Sequence, residues 1–340
     1  MALQGSGTID LSDVNVELGN SGTAYITMGS VAVRDLFDAA SGAISLSDGY
    51  GRSNVKWYGD RGLFAGGYAY SQTNTIEYVT ITSTGNGADF GDLTAARAYL
   101  SGASNGTRGV WAGGASISCG RGGCSYYALG TIDYVTIGTI GNASAFGTLS
   151  TTYSYSATGC SDGTLGIFAG GMTGSTYLNN IAYITIASTG NSFDFGDLTV
   201  ARKNLASCAN SSRALFAGGN STTPVICALG NNTIDYITTS SASNASDFGD
   251  LGSAVHQVGG AGSTTRALFA GGSNCSGYNG SMASLNEISY VTIDSTGNST
   301  DFGDLSVAAA TSSGASNNTR ALFYLNYGPT LDYVTIASTG

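Results

Sequence analysis

The sequence predicts an all-β protein built from six equivalent units, and three observations carry that prediction. A phrase returns six times along the chain: RGLFAGG at Arg61–Gly67, RGVWAGG at Arg108–Gly114, LGIFAGG at Leu165–Gly171, RALFAGG at Arg213–Gly219 and Arg266–Gly272, and RALFYLN at Arg320–Asn326. A self-similar period of this length marks an array of supersecondary units. The composition is apolar enough to fold and punctuated enough to turn, with 42% hydrophobic residues, 52 Gly and only 2 Pro in 340 residues. Short β-branched or aromatic runs are separated throughout by Gly, Ser and Asn clusters, which is the pattern of many short strands.

Each unit reads as four strands. In the second, ARAYLSGAS (Ala96–Ser104) leads through a turn at Asn105–Thr107 into RGVWAGG. A variable stretch precedes TIDYVTI (Thr131–Ile137), and Gly141–Asn142 turns the chain into AFGTL (Ala145–Leu149). Gly and Asn supply the positive φ that tight turns require. Four short strands per unit, joined as a meander, form the blade of a β-propeller. The units resemble kelch-type blades in the Gly-Gly ending of the second strand, the Tyr of the third (Tyr78), the aromatic–x–x–Leu of the fourth (Phe90, Leu93) and the following Arg97, with Phe where such blades usually carry Trp.

Six Tyr-bearing strands are present but only five aromatic–Gly–x–Leu phrases, so the sixth blade lacks its fourth strand. The expectation is that a segment within Ser41–Tyr58, centred on Ala43–Ser47, supplies it and closes the ring. Residues 1–51 do not follow the repeat and read as a small N-terminal anchoring module ahead of a propeller spanning 52–340.

Four copies read DFGDL, and each is followed by an Arg opening the next Gly-Gly strand; the fifth reads AFGTL and is followed by Leu165. The joint loss of acid and Arg predicts inter-blade pairs Asp92–Arg108, Asp197–Arg213, Asp250–Arg266 and Asp304–Arg320.

The chain carries 12 basic and 22 acidic residues, a formal net charge of −10. Isolated basic residues give no footprint for nucleic acid. No segment reads as a secretory signal or a membrane span. DFG at blade spacing, without the other kinase signatures, is scaffold rather than a kinase motif. No CxxC pair or alternating Asp/Asn loop marks a zinc or calcium site, so no metal and no cofactor are expected. The single histidine, His256, aligns with Ala98 and Lys203 of other copies and reads as a strand-face residue; no catalytic residue is assigned.

Cys160 and Cys208 stand where other copies have Ala, as small buried thiols do. Cys119 and Cys124 flank GRGG and are placed to close a small loop, and Cys227 and Cys275 lie in adjacent blades; for all four, disulfide and free thiol both stay open. The connections between second and third strands vary most. They hold Tyr68, Tyr70, Tyr126, Tyr127, Tyr177 and Tyr278 among Ser, Asn and Gly, and are the expected ligand-binding face.

IDLSDVNVELG (Ile9–Gly19), AVRDLFDAASGAISLSDGYG (Ala32–Gly51) and the YVTIASTG–DFGDLT blades resemble virion structural proteins of tailed bacteriophages, of the cyanophage and marine-phage type. That resemblance implies a non-enzymatic virion protein made in a host cytoplasm, such as a tail fibre or tail-associated adhesin. It would dock to other virion proteins through residues 1–51, in multiple copies per particle, and bind a host-surface glycan or receptor through its loops. The alternatives are a structural head or tail decoration protein and a carbohydrate-active enzyme.

Overall fold

In the computed structural model the chain divides into two compact units, Met1–Lys56 and Trp57–Gly340. The structure describes residues 60–340 except 70, 122, 150–153, 222–229, 275–281, 326–329 and 340. The expected anchoring module and the ring-closing segment Ser41–Tyr58 lie outside the described residues.

The second unit is an all-β, six-bladed propeller. Blades 2 to 5 are four-stranded antiparallel meanders whose strands pair in chain order. Blade 2 comprises Ser101–Ser104, Arg108–Ala112, Thr131–Thr136 and Ser144–Thr148. Blade 3 comprises Thr158–Ser161, Leu165–Ala169, Asn180–Thr185 and Phe193–Asp197. Blade 4 comprises Ala206–Ala209, Arg213–Ala217, Asn231–Thr238 and Ser246–Val255. Blade 5 comprises Gly259–Gly262, Arg266–Ala270, Glu287–Thr292 and Thr300–Asp304. Three strands are described in blade 1 (Arg61–Ala65, Thr75–Thr80, Ala88–Asp92) and three in blade 6 (Thr311–Ser316, Arg320–Leu325, Thr330–Thr335). The first strand of blade 2 begins at Ser101, later than ARAYLSGAS suggests, because Tyr99 adopts φ 59° and breaks the extended run.

The apolar core is shared out along the seams. Ile76, Phe90 and Leu93 of blade 1 cluster with Trp111 and Val135 of blade 2. Blade 6 packs on blade 1 through Leu322 against Val79 and Ile81. The Phe of each fourth strand is buried and sits edge-on to the Tyr of its third strand, at centroid distances of 6.0, 5.8, 5.7, 5.9 and 5.9 Å from blade 1 to blade 5. Edge-to-face geometry suits the ring quadrupoles and explains why Phe serves there.

The recurring Arg does join blades, but not through the DFGDL acids. Nη1 of Arg61, Arg108, Arg213, Arg266 and Arg320 donates to the carbonyl of Ile137, Ile186, Ile293, Ile336 and Ile81 respectively, each in the following blade. Each guanidinium also lies over the Tyr of its own third strand, 4.3–4.9 Å from the ring centroid. The expected pairs Asp92–Arg108, Asp197–Arg213, Asp250–Arg266 and Asp304–Arg320 are absent, and the register gives the reason. Arg61 lies opposite Thr80, at one end of the third strand, whereas Asp92 lies opposite Thr75, at the other end. Five residues of extended chain, about 15 Å, separate the two ends. The Asp and the Arg therefore sit on opposite faces of the disc.

The DFGDL phrase makes its own seam with backbone. Gly91 adopts φ 143° at a register shift, and a Cβ there would lie 2.5 Å from the Gly141 carbonyl oxygen of blade 2. Asp92 N–H then donates to Asn142 Oδ1, a bond repeated by Asp197 with Asn244 and Asp250 with Asn298.

Among the described residues the two ion pairs lie elsewhere: Arg97–Asp133 in blade 2 at 2.8 Å and Arg202–Asp235 in blade 4 at 2.9 Å, with all four side chains fully buried. Thr94 and Thr199 donate to the same carboxylates through backbone and hydroxyl. Those bonds meet acceptor capacity that burial would otherwise leave unpaired.

Candidate functional site at the mouth of the propeller axis

In a meander blade, the second-to-third-strand loops and the linkers between blades emerge on one face. The inter-blade linkers bring equivalent residues to the rim of the axis. Ala98, Tyr155, Lys203 and His256 form single bridges to Ala115, Met172, Asn220 and Ser273, the residues just after each Gly-Gly. His256 thus stands between the fourth strand of blade 4 and the first strand of blade 5, not within a strand.

The next residues, Tyr99, Ser156, Asn204 and Gln257, all adopt left-handed conformations, at φ 59°, 57°, 55° and 57°. They are linked blade to blade: Gln257 N–H donates to Asn204 O, Asn204 N–H to Ser156 O, and Ser156 N–H to Tyr99 O. Below them the first strands touch through backbone, since a Cβ at Gly159 would lie 2.5 Å from Gly102 O. The mouth therefore opens onto a tightly packed axis.

Four tyrosines and a lysine surround this rim. Tyr126 stacks on Tyr155 at 5.8 Å and 15°, and Tyr99 approaches both rings, at 6.0 and 6.4 Å. Lys203 Nζ lies 5.1 Å from the Tyr177 ring centroid and 3.0 Å from Met172 Sδ. Burial lowers the Lys203 pKa. His256 is 3% exposed and its buried Nδ1 has no hydrogen-bond partner among the described residues. Its pKa is lowered by burial first and by the Lys203 charge second, against a hydrogen bond to the backbone of Ser273. Burial raises the phenols of Tyr99, Tyr155 and Tyr177, which keeps them neutral donors.

The expected binding residues are only partly brought together. Tyr126 and Tyr177 join the rim. Tyr127 is 59% exposed and follows Tyr126 on the opposite side of the hairpin Ala115–Ala128. Tyr68 is exposed, and its hydroxyl lies 3.3 Å from Cys119 Sγ. Tyr70 and Tyr278 lie outside the described residues, as do Cys227 and Cys275. Cys119 and Cys124 form a disulfide across that hairpin, while Cys160 and Cys208 are free and buried. Burial pushes the Cys208 thiol up to about 12.

Lys203, Tyr155 and Tyr99 escape a reading of loops because they belong to linkers. The usable signal is that one repeat position holds Ala98, Tyr155, Lys203 and His256 in successive copies. Scaffold positions keep their residue type, and this one does not.

A six-bladed propeller with a polar aromatic mouth is the class that these features define. Within it, the chain is similar to the solved structure of YjhT, with a TM-score of 0.64 and 10% identity over 83% of this chain and 93% of that one. No family model matches the chain, and no curated protein matches it. At 10% identity that likeness shows the fold alone, and it corrects the identification as a tailed-phage virion protein, with the tail-fibre, host-attachment and non-enzymatic roles drawn from it, to a six-bladed propeller like that of YjhT. Two of the phrases behind that identification have a simpler physical origin, and the other two, Ile9–Gly19 and Ala32–Gly51, lie outside the described residues. YVTIASTG is third strand and turn, and DFGDLT is the bulged fourth strand, so both are what this scaffold needs to build a blade.

Proposed function

We propose that the protein is a carbohydrate-active enzyme that takes an anionic sugar at the mouth of its axis. The observation that carries this is Lys203. Its ammonium is partly desolvated between a tyrosine ring and a thioether, and among the described residues it has no carboxylate partner. A partly desolvated cation of this kind gains more from a ligand anion than a fully hydrated one does. The flat faces of Tyr126 and Tyr99, 40% and 43% exposed, suit the apolar face of a sugar ring. Hydrolysis through paired carboxylates would need two acids across the scissile bond. The shifted groups at this mouth are instead Lys203, His256 and tyrosines. This reading assigns proton transfer to His256, whose pKa is lowered by burial and by the Lys203 charge, which keeps the imidazole neutral.

The test is binding and conversion of glucuronate against glucose, followed by proton NMR. Glucuronate should bind at least tenfold more tightly, Lys203→Met should erase that preference, and His256→Gln should remove conversion while sparing binding. Equal weak binding of both sugars by the wild type would overturn the proposal.

A further inference from the structure

We infer that Ser156 and Gln257 are specificity residues of this mouth, retained for their side chains at a cost to stability. This rests on the proposed sugar site and names the groups that would read the sugar's hydroxyls. Both residues hold φ 57°. In that region a Cβ clashes with backbone, and glycine is the unstrained choice. The chain uses glycine wherever else its repeat demands such a conformation: both residues of the Gly-Gly turn in blades 1 to 5, and the bulge glycines Gly91, Gly196, Gly249 and Gly303. At the rim alone, among the described residues, four equivalent left-handed positions carry side chains, and those side chains all differ: Tyr99, Ser156, Asn204 and Gln257.

The backbone does not require them. What this position contributes to the fold is the chain of N–H to carbonyl bonds from Gln257 to Asn204, Ser156 and Tyr99, and glycine makes those bonds equally well. All four residues are partly exposed around one rim. Asn204 is the type that best tolerates this conformation, and Tyr99 has its rings to pack against. Ser156 and Gln257 have neither reason. Strain held without a structural return clusters at functional sites. A hydroxyl and a carboxamide on the two linkers whose backbone bonds flank Asn204, next in sequence to Lys203, supply donors and acceptors for the hydroxyls of a sugar whose anionic group the Lys203 charge would hold.

The experiment is Ser156→Gly and Gln257→Gly in the full chain, read by thermal unfolding and by NMR titration with glucuronate. Relief of strain should raise Tm by about 1–3 °C. Each lost hydrogen bond should weaken binding about three- to tenfold. A fall in Tm would show that the side chains serve the fold and overturn the inference. Unchanged affinity in variants of a wild type that does bind would overturn it too, while leaving the sugar site standing. A wild type that binds no glucuronate removes the sugar site and this inference with it.

Discussion

Arg97 Nη1 lies 2.8 Å from Asp133 Oδ2, and neither side chain is exposed to solvent. Burial lowers the Arg97 pKa, and the Asp133 charge and hydrogen bond work against that shift. Removing one partner of such a pair strands the other. Asp133→Ala should therefore cost about 3–5 kcal/mol. The repeat itself shows how to neutralise the site: blade 3 has Ser154 and Ala182 at the equivalent places. The double variant Arg97→Ser, Asp133→Ala should recover at least ~2 kcal/mol of the single variant's loss, measured by urea unfolding. A double variant no more stable than the single would mean that the pair is not a closed unit.

The same pair shows what was legible in the sequence. Repeat period, blade count, Gly-Gly turns and the Tyr and Phe strands were all readable, because each copy must satisfy the same backbone demands. Joint loss of an acid and an Arg does mark an ion pair in this repeat, but both members of that pair stand elsewhere than at the DFGDL acid and the strand-opening Arg. The correct partners vanish together twice, as Ser154 with Ala182 in blade 3 and Val255 with Ser289 in blade 5. Blade 6 keeps Asp332 without an Arg, and there the acid is partly exposed and accepts from Ser306 instead. Only strand direction reveals that the DFGDL acids and the strand-opening Arg face opposite ways. The mouth was less legible, since its members come from four linkers and two hairpins that converge only once the ring is built.

Arg320 closes the described ring, donating from Nη1 to Ile81 O at 3.0 Å while lying 4.3 Å from the Tyr333 centroid. A charged hydrogen bond is worth about 1.5–3 kcal/mol and an exposed cation–π contact about 0.5–1. Leucine is native at the equivalent Leu165, so Arg320→Leu fits the strand. It should cost about 2 kcal/mol in guanidinium unfolding and speed amide exchange at Ile81 above all. Uniform exchange across the blades would mean that this bond does not govern closure.

Cys119 and Cys124 lie directly opposite in the hairpin that presents Tyr126 to Tyr155. The opposite side of the hairpin is held by Gln72 donating to Ile117 O at 2.8 Å. Closing so short a loop contributes about 2 kcal/mol, and hairpins outside the blades open locally. Replacing both cysteines by serine should move the global Tm by less than ~2 °C. It should weaken glucuronate binding about two- to fivefold, an estimate that allots part of that local ordering to the Tyr126 platform. Isothermal titration with and without reductant checks this in the wild type, and affinity that ignores reductant would exclude the hairpin from binding.

His256 makes stability depend on pH in a direction that its surroundings determine. Burial and the neighbouring Lys203 charge hold its pKa below the unfolded value of 6.5. Below about pH 7 the unfolded chain therefore takes up a proton that the folded chain resists, and stability falls as pH drops. The contribution is fully present above 6.5 and is lost as pH falls through the lowered folded value. His256→Gln keeps a polar group and removes the titration, so its stability should be flatter than wild type between about pH 7 and 5. Carboxylates titrate in both proteins, and the difference between the two curves isolates the histidine. Lys203→Met deletes the second cause of the shift, so in that variant the lower edge of the pH window should rise toward 6.5 and the total loss of stability on acidification should shrink. Superimposable unfolding curves for wild type and His256→Gln across this range would mean that the imidazole is not held neutral by the mouth, and the proton acceptor assigned to it would be lost.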